Sequence, residues 1–266
     1  MKDPKRLGAA GESPSTYAWD SRGVHYATSD LHKSGPSLAK LLALARPNRA
    51  DHCLDLGTGA GHTAAALAEH AAHVVGLDLS SGMLRAARER YREPNLEFIQ
   101  APAQATGLPD ANFDLITARH TLHHHSDLSA TLAEAARLLK PGGRLVVADE
   151  ITPDAEVDAW YDALERTRDP THVRAYTLRE WRTFIAGAGL SWIVGDSETR
   201  YPIEIASWLG RMNLDELGTE AAYELLKSAD AHARDIFKID CEGDRAVRFQ
   251  MPVALILAVK PVLEER

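Results

Sequence analysis

The stretch that decides the fold is His52–His62, HCLDLGTGAGH. It predicts a short apolar strand that ends in an acid and runs into Gly57, Gly59 and Gly61, followed by an Ala-rich helix from Thr63. Glycine permits positive φ and lets a ligand approach the main chain closely, and the N-terminus of a helix presents free N–H groups. A strand, a glycine-rich turn and a helix in this order are typical of a nucleotide-binding βα unit.

Strands and helices alternate around this stretch. Apolar runs predict further strands over 73–79, 95–101, 113–119 and 143–151, with helices over 80–91 and 127–139 between them. Five βα repeats whose strands are apolar on both faces indicate a doubly wound, mostly parallel α/β sheet covered by helices.

The pattern changes after residue 151. Helices are predicted over 154–168 and 177–187, a sixth strand over 190–201, a helical insertion over 203–248 with a helix at 219–237, and a last strand over 251–261. Before the first strand, leucines spaced by three and four residues predict an amphipathic helix over 36–45.

The overall composition excludes several classes of partner. The 266 residues carry 38 acidic against 30 basic side chains, so no basic field favours nucleic acid. Cys53 and Cys241 are too few for a disulfide framework and favour a reducing compartment. The first residues lack the apolar core of a signal peptide, and the longest apolar run, 251–259, is half of a membrane span. We therefore expect a cytoplasmic protein without membrane insertion, and no pattern predicts an oligomer.

The spacing of the glycines discriminates between cofactors. Asp78 ends the second strand about twenty residues after Gly57, where an acid accepts hydrogen bonds from ribose hydroxyls. Both NAD and S-adenosylmethionine satisfy this position. The dinucleotide fingerprint, however, places its third glycine at the position of His62, one residue beyond Gly61. Asp55 would repel a pyrophosphate but suits an ammonium group, so the loop favours a phosphate-free, positively charged cofactor.

Four motifs carry a family resemblance: LDLGTGAGHTAAAL, VVGLDLSSGML, LPDANFDLITARHTLHHHSD and LLKPGGRLVVADE. In this order and spacing, over about residues 24–150, the chain resembles class I S-adenosylmethionine-dependent methyltransferases. The group it is most similar to is the ubiquinone/menaquinone-biosynthesis-like (methyltransferase type 11) small-molecule group. The resemblance implies a Rossmann-like, mostly parallel seven-stranded sheet with a last antiparallel strand beside the fifth and helical cap insertions. It also implies S-adenosyl-L-methionine as cofactor and a small-molecule substrate.

The resemblance further implies a division of the chain and a set of cofactor contacts. Residues 1–16 are expected to be a disordered tail, and 17–266 a single domain. Within it we expect an N-terminal lid over 17–46, a cofactor-binding half over 47–151 and substrate-side helical segments over 152–189 and 203–248. The implied contacts are Asp55 and the backbone of Gly57, Thr58, Gly59 and Gly61 for the methionine part, Asp78 for the ribose, Leu79, Met83, Ala103 and Gln104 for the adenine, the main chain around Arg119, and Tyr26 in the lid.

Histidines supply the weak candidates for catalysis. His123 and His124 follow the fourth strand at the ligand end of the sheet, and His172 lies in a polar segment, TRDPTHVR, where a helix–loop–helix with capping residues is the preferred interpretation. Asp149 and Glu150 end the fifth strand and are further candidates. No acid or cysteine at a matching spacing accompanies the histidines, so no metal is expected.

Two other functions stay open in the sequence. Tyr223 and Lys227 form a Y-x-x-x-K pair, which together with Asp78 suggests an NAD(P)-dependent oxidoreductase. A catalytically silent S-adenosylmethionine-binding protein is the second. For a methyltransferase, the helical segments offer Trp160, Tyr161, Trp208, Met212 and Tyr223 to an aromatic or quinol-like acceptor, with C-, O- or N-methylation undecided.

Overall fold

The computed structural model describes residues 35–212 and 214–262. The expected tail over 1–16, Tyr26 and most of the expected lid lie outside the described residues, so those expectations stay predictions.

A single sheet organises the chain. Its strands, in chain order, are β1 (His52–Leu56), β2 (His73–Asp78), β3 (Leu96–Gln100), β4 (Phe113–Arg119), β5 (Leu139–Glu150), β6 (Ser191–Glu204), β7 (Asp240–Glu242) and β8 (Arg245–Val259). The strand order is β3-β2-β1-β4-β5-β8-β6, and β7 forms a hairpin with β8.

In the described residues one helix precedes β1 and the others lie between strands. They are α1 (Pro36–Ala45), α2 (His62–Ala68), α3 (Ser81–Arg90), α4 (Leu128–Leu138), α5 (Asp158–Arg168), α6 (Leu178–Gly187), α7 (Ile205–Gly210), α8 (Glu216–Lys227) and α9 (Ala231–Phe237), with a 3₁₀ turn at Leu122–His124.

The direction of the strands confirms the predicted fold class. Strands β3, β2, β1, β4 and β5 pair in parallel, whereas β8 is antiparallel to both β5 and β6. The last strand therefore inserts beside the fifth, as expected. Because β1 lies at the centre and the chain moves outward from it in both directions, a crevice opens beside its carboxyl end.

Apolar side chains cover both faces of the sheet. On one face, Leu41 of α1, Leu67 of α2 and Tyr161 of α5 belong to one buried cluster with residues of α7, α8 and α9. On the other face, Leu132 of α4 and Trp181 of α6 belong to a second cluster. Helices on both faces explain why the central strands are apolar throughout.

The prediction was wrong for part of the chain after residue 203. The insertion expected over 203–248 is not wholly helical, because β6 continues to Glu204, β7 forms a hairpin and β8 begins at Arg245. Exposed arginines at 245 and 248 interrupt the apolar run, so the sequence pattern did not predict the start of this strand. The helix expected over 219–237 is two helices. The first helix, α8, ends at Lys227. The second, α9, begins after Asp230, whose side chain accepts a hydrogen bond from the Ala233 N–H and caps it.

Among residues 35–212 and 214–262, no helix is both long enough and apolar enough to cross a bilayer.

The glycine loop offers a test of its own geometry. Gly57 and Gly59 both have positive φ, 62° and 53°. A Cβ at Gly57 would lie 2.7 Å from Cβ of Thr121, whereas one at Gly59 would meet nothing within 4 Å. We expect Gly59→Ala to lower the free energy of unfolding by about 1–2 kcal/mol, the cost of the left-handed backbone. Gly57→Ala should cost about 1–3 kcal/mol more because the methyl overpacks against Thr121.

Urea unfolding of both variants and the wild type measures this difference. Equal losses for the two variants would show that backbone strain alone matters and would contradict the packing of Gly57 against Thr121.

Candidate active site

A cavity of about 630 Å³ runs along the carboxyl ends of the parallel strands. One end is lined by the glycine loop after β1, the end of β2 and the segment after β3. The other end is lined by the 120–126 turn, Glu150, α5 residues and the 169–173 loop. The site expected at the crevice beside β1 is therefore continuous with a second group of polar side chains.

Asp55 is the buried acid beneath the glycine loop. Its two carboxylate oxygens accept hydrogen bonds from the hydroxyls of Thr58, at 2.7 Å, and Thr117, at 2.8 Å. Burial raises the pKa of Asp55 to about 6, although the two hydroxyls and the charge of Arg119 oppose the shift. Asp55 does not line the cavity. Its direct contact with a methionine ammonium stays a prediction, and in the structure it anchors the loop to β4.

Asp78 lies at the mouth of the cavity. One carboxylate oxygen accepts a hydrogen bond from the Gly59 N–H at 2.8 Å, and the other accepts one from the Ser80 N–H at 2.9 Å. The position and orientation of Asp78 are therefore fixed by the backbone on both sides of it.

Arg119 brings a positive charge to the same end of the cavity. Its guanidinium donates to the hydroxyls of Thr63, at 2.8 Å, and Ser37, at 3.3 Å. Burial lowers its pKa from the usual value, and nearby Tyr201 and Asp55 partly restore it. The sequence pointed to the main chain around Arg119, and in the structure Arg119 is one of the residues that line the cavity.

Most of the implied cofactor contacts lie together. The cavity is lined by Gly57, Thr58, Gly59, Asp78, Leu79, Met83, Ala103, Gln104 and Arg119. Gly61 does not line it; it caps α2 with a φ of 85°. These positions agree with the expectation, but the role of each as a cofactor contact stays a prediction.

His123 is paired with a buried acid at the other end. Its Nδ1 lies 2.6 Å from Oδ1 of Asp149, and both side chains are buried. Burial alone would lower the pKa of His123, but the charges of Asp149 and Glu150 outweigh it and raise the pKa to about 9. Asp149 Oδ2 also accepts from the N–H groups of Leu122 and His123. This acid therefore holds both the turn and the ring.

Acids and a base surround His123. Glu150 is buried beside Glu165 of α5, and burial together with the charge of Glu165 raises the pKa of Glu150 to about 7. Glu165 accepts a hydrogen bond from Arg168 at 2.7 Å. The hydroxyl of Tyr161 lies 3.5 Å from Oε2 of Glu150. The group forms a buried, ionisable wall of the cavity.

His172 lies in this wall and is only 4% exposed. Its ring centroid is 5.5 Å from that of His123. Burial lowers the pKa of His172 to about 2, with a further contribution from the charge of His123. The preferred interpretation of a polar capping loop was therefore incomplete, because the loop carries a buried imidazole into the cavity.

The other histidines of the turn are neutral. Burial lowers the pKa of His120 and of His124 to about 3. Nδ1 of His124 lies 3.1 Å from the carbonyl oxygen of Thr171, and the centroid of its ring lies 4.0 Å from that of His123, with the two rings tilted by 48°. All three histidines line the cavity, and a ligand atom of His123 and one of His172 lie within 4.8 Å of one of Glu150.

The cavity brings together two histidines and a glutamate that are far apart in the sequence. His123, Glu150 and His172 each offer a ligand atom, and these atoms lie within 4.8 Å of one another. The sequence argument against a metal relied on the absence of an acid at matching spacing, yet β5 supplies Glu150 from another element. Glu165 was missed altogether. Its only sequence pattern is its place on the inward face of α5, one residue after buried Leu164.

The aromatic residues expected to face the acceptor divide into two groups. Trp208 lines the cavity, with Arg168 4.5 Å from its ring. Trp160 and Tyr161 instead pack on Phe237, at 5.2 and 4.7 Å between ring centroids. Met212 and Tyr223 do not line the cavity either. The packing explanation therefore holds for most of the set.

The Tyr223–Lys227 pair does not lie at the cavity, where a dehydrogenase would require it. The ring of Tyr223 packs under Arg245, 3.9 Å from its guanidinium carbon, and neither residue lines the cavity. A Tyr and a Lys one helical turn apart occur often on an ordinary helix. The oxidoreductase interpretation loses the pair on which it depended.

Comparison with known proteins gives the class. Residues 54–147 match the model of the methyltransferase domain family. The chain is 30% identical over 240 residues to the methyltransferase YcgJ of Bacillus subtilis, covering 88% of this chain and 94% of YcgJ. The crystal structure of YcgJ superposes with a TM-score of 0.80 at 30% identity, over 85% of this chain and 99% of that one. The chain belongs to the methyltransferase family and has the class I fold.

Two more distant relatives extend the comparison. A demethylmenaquinone methyltransferase of Clavibacter sepedonicus is 36% identical over 130 residues, covering 48% of this chain and 53% of that protein. A phosphoethanolamine N-methyltransferase of Haemonchus contortus, in complex with S-adenosylhomocysteine, has a TM-score of 0.62 at 18% identity. It covers 91% of this chain and 57% of that one, and at this identity it shows the fold alone.

The hydrogen bonds to Asp55 predict a pH-dependent loss of stability in Thr117→Val. The pKa of Asp55, about 6 in the folded chain against a usual 3.8, means that the ionised carboxyl disfavours folding above pH 6 and ceases to do so as pH falls. Removing a hydroxyl that stabilises the ionised form should cost about 1.5–3 kcal/mol at pH 7 and less at pH 5.

Urea unfolding at the two pH values measures this. Thr183→Val, at an exposed position on α6, is the matched control and should show a small change that is the same at both. An equal loss for Thr117→Val at pH 5 and pH 7 would contradict the role of the carboxylate.

Proposed function

We propose that this protein transfers the methyl group of S-adenosylmethionine to a small-molecule acceptor held in the same cavity. The observation that carries the proposal is the continuity of the cavity. Its lining runs from the glycine loop and Asp78 to the buried histidines and acids without leaving the carboxyl edge of the sheet. Cofactor and acceptor must lie side by side for a direct transfer, and one cavity with two chemically different ends provides this.

The residues at the loop end suit S-adenosylmethionine. Asp78 lines the cavity at the end of β2, where an acid can accept hydrogen bonds from ribose hydroxyls. The glycines allow the close approach of a nucleoside, and Met83 and Ala103 give an apolar wall for adenine. The guanidinium of Arg119 suits the carboxylate of the methionine part, and the negative charge of Asp55 beneath the loop suits its ammonium group. No cluster of bases is needed, since this cofactor carries no phosphate.

The other end suits an organic acceptor. Trp208, Ile203 and Met251 supply apolar lining to the same cavity as His123 and Glu150. The name of the demethylmenaquinone methyltransferase, a relative that covers half of this chain, supports a quinol-like or other aromatic acceptor. A flat apolar body with a polar reacting group would match both walls.

The chemistry asks little of the protein beyond position. When bound, the cofactor supplies an activated methyl group and its own leaving group. The chain must hold the acceptor atom about 3 Å from that methyl and in line, which alone is worth several kcal/mol. It must also exclude water, a task for the buried wall formed by α5 and the 169–173 loop.

A transfer assay tests the proposal. Purified protein, with S-adenosylmethionine labelled in the methyl group, is screened against quinols, phenols, amines and a small-molecule extract. Label in an extractable small molecule is the expected result. Binding of S-adenosylhomocysteine without transfer to any acceptor would instead favour a silent binding protein, and absence of binding would overturn the proposal.

Asp78→Ala is the sharpest variant for the cofactor end. A hydrogen bond to a charged group is worth about 1.5–3 kcal/mol, so we expect the affinity for S-adenosylhomocysteine to fall by about 10- to 100-fold. Isothermal titration measures the affinity. Glu89→Ala removes an exposed acid from α3 and should bind as the wild type does. Unchanged affinity in Asp78→Ala would show that the ribose lies elsewhere.

A further inference from the structure

We propose that His123, Glu150 and His172 form a binding site for a divalent transition-metal ion at the acceptor end of the cavity. One ligand atom from each lies within 4.8 Å of the others, and all three residues are buried. Two imidazoles and one carboxylate are the ligand set of many catalytic zinc sites and of non-haem iron sites. The three residues also line the cavity, so coordination positions not used by the protein face its interior.

The state of His172 points to a ligand. Its ring is buried, yet within the described residues neither ring nitrogen has a hydrogen-bond partner. Asp162 approaches Nε2 at 3.5 Å but without hydrogen-bond geometry. A buried polar group without a partner costs roughly 1–3 kcal/mol. A metal ion accepts the lone pair of one ring nitrogen and removes that part of the cost, which apolar packing does not do.

His123 is already oriented as a metal ligand. Its Nδ1 bonds to Asp149, which fixes the ring and leaves Nε2 for coordination. A carboxylate on the far nitrogen of a ligating histidine is the usual outer partner in metal sites, where it sets the tautomer and raises the basicity of the ligand. Asp149 is itself held by the N–H groups of Leu122 and His123.

The two histidines are also joined through the backbone. The N–H groups of Val173 and Arg174 donate to the carbonyl oxygen of His123, at 2.9 and 3.1 Å. These two backbone hydrogen bonds therefore connect the loop that contains His172 to the turn that contains His123. Ligand atoms about 2.1 Å from a tetrahedral zinc lie about 3.4 Å apart. Side-chain rotations that move the ligand atoms by about 1 Å would therefore bring them to coordination distance.

The surrounding charge favours a cation. Asp149, Glu150 and Glu165 lie together at this wall, and the positive charges beside Glu150 are those of His123 and of Arg168, which pairs with Glu165. A divalent ion bound by His123, Glu150 and His172 would add positive charge beside these three acids. A small anion or a second guanidinium would not fit both the acids and the two imidazoles.

A metal here narrows the acceptor class, an inference that rests on the proposed function. An acceptor with a hydroxyl, phenol or enol oxygen would bind the ion through that oxygen and lose its proton to solvent, since a divalent ion lowers the pKa of bound oxygen groups. The oxyanion then forms the new bond to the methyl carbon as the carbon–sulfur bond breaks. The bonding pair goes to sulfur, which becomes a neutral thioether, and the metal keeps its oxidation state.

Cobalt titration tests the site directly. Untagged protein is stripped with a chelator, dialysed and titrated with Co²⁺ while visible absorption is recorded, and Zn²⁺ is then added in competition. We expect one Co²⁺ per chain with the absorption of a low-coordinate site, bleached by Zn²⁺. A wild type that shows no such absorption overturns the proposal.

Variants locate the ion. His172→Ala and Glu150→Gln should lose the Co²⁺ absorption, and Asp149→Asn should weaken binding by about 10- to 100-fold, as loss of an outer partner does. His232→Ala is the matched control, because His232 is an exposed histidine with Asp154 at 3.1 Å and Glu156 at 3.8 Å. Loss of binding in His232→Ala alone would place the ion at the surface and overturn the assignment.

Affinity for S-adenosylhomocysteine is measured for every variant, with and without metal. It should stay within about twofold of wild type, since the ligands lie at the acceptor end. Retained S-adenosylhomocysteine binding without metal binding would refute the metal site and leave the methyltransferase proposal standing. Metal binding without S-adenosylhomocysteine binding would do the reverse.

Discussion

Two aspartates buried at the ends of strands determine the geometry of the whole cavity. A carboxylate removed from water must find donors, because an uncompensated buried charge costs several kcal/mol. Asp55 at the end of β1 finds the hydroxyls of Thr58 and Thr117, and so ties the glycine loop to β4. Asp149 at the end of β5 finds two backbone N–H groups and the His123 ring. Each acid fixes one end of the cavity, so the two ends are held at a set separation by the sheet itself.

The helical segment after β5 completes this arrangement. Helix α5 packs on the sheet through Tyr161 and Leu164, and the same face brings Glu165 and Arg168 to the cavity. A single helix therefore contributes to the core and to the polar wall. The cation–π contact of Arg168 with Trp208 joins this wall to α7. Because α7 follows β6, at the edge of the sheet, the acceptor end depends on the antiparallel part of the sheet as well as on the parallel half.

Elements that are defined by local sequence patterns could be predicted, whereas elements that are defined by tertiary contacts could not. Strands β1 to β5 and the helices between them were predicted because each is a local pattern of apolar residues bounded by glycine, proline or a capping side chain. The start of β8 at Arg245 and the hairpin strand β7 were missed. The first residues of β8 pair with the distant β6, as Arg248 does with Glu204, and the exposed arginines there interrupt the apolar pattern. Strand β7 has only three residues, all exposed, in a local hairpin with β8, so it gives no apolar pattern either. Asp78 was predictable since it ends a strand at a fixed distance from the loop.

What the sequence determined alone was the parallel α/β fold, the glycine loop and the identity of the methyltransferase class. The fold and the loop depend on the periodicity of short segments and on spacing along the chain, whereas the class rests on the resemblance of four motifs to a known family. The tertiary structure decided that His123 and His172 face Glu150, and that Trp160 and Tyr161 serve the core. It did so because β5, the 3₁₀ turn and the loop after α5 meet only when the sheet forms. Distance along the chain carries no information about which ionisable groups a fold buries together.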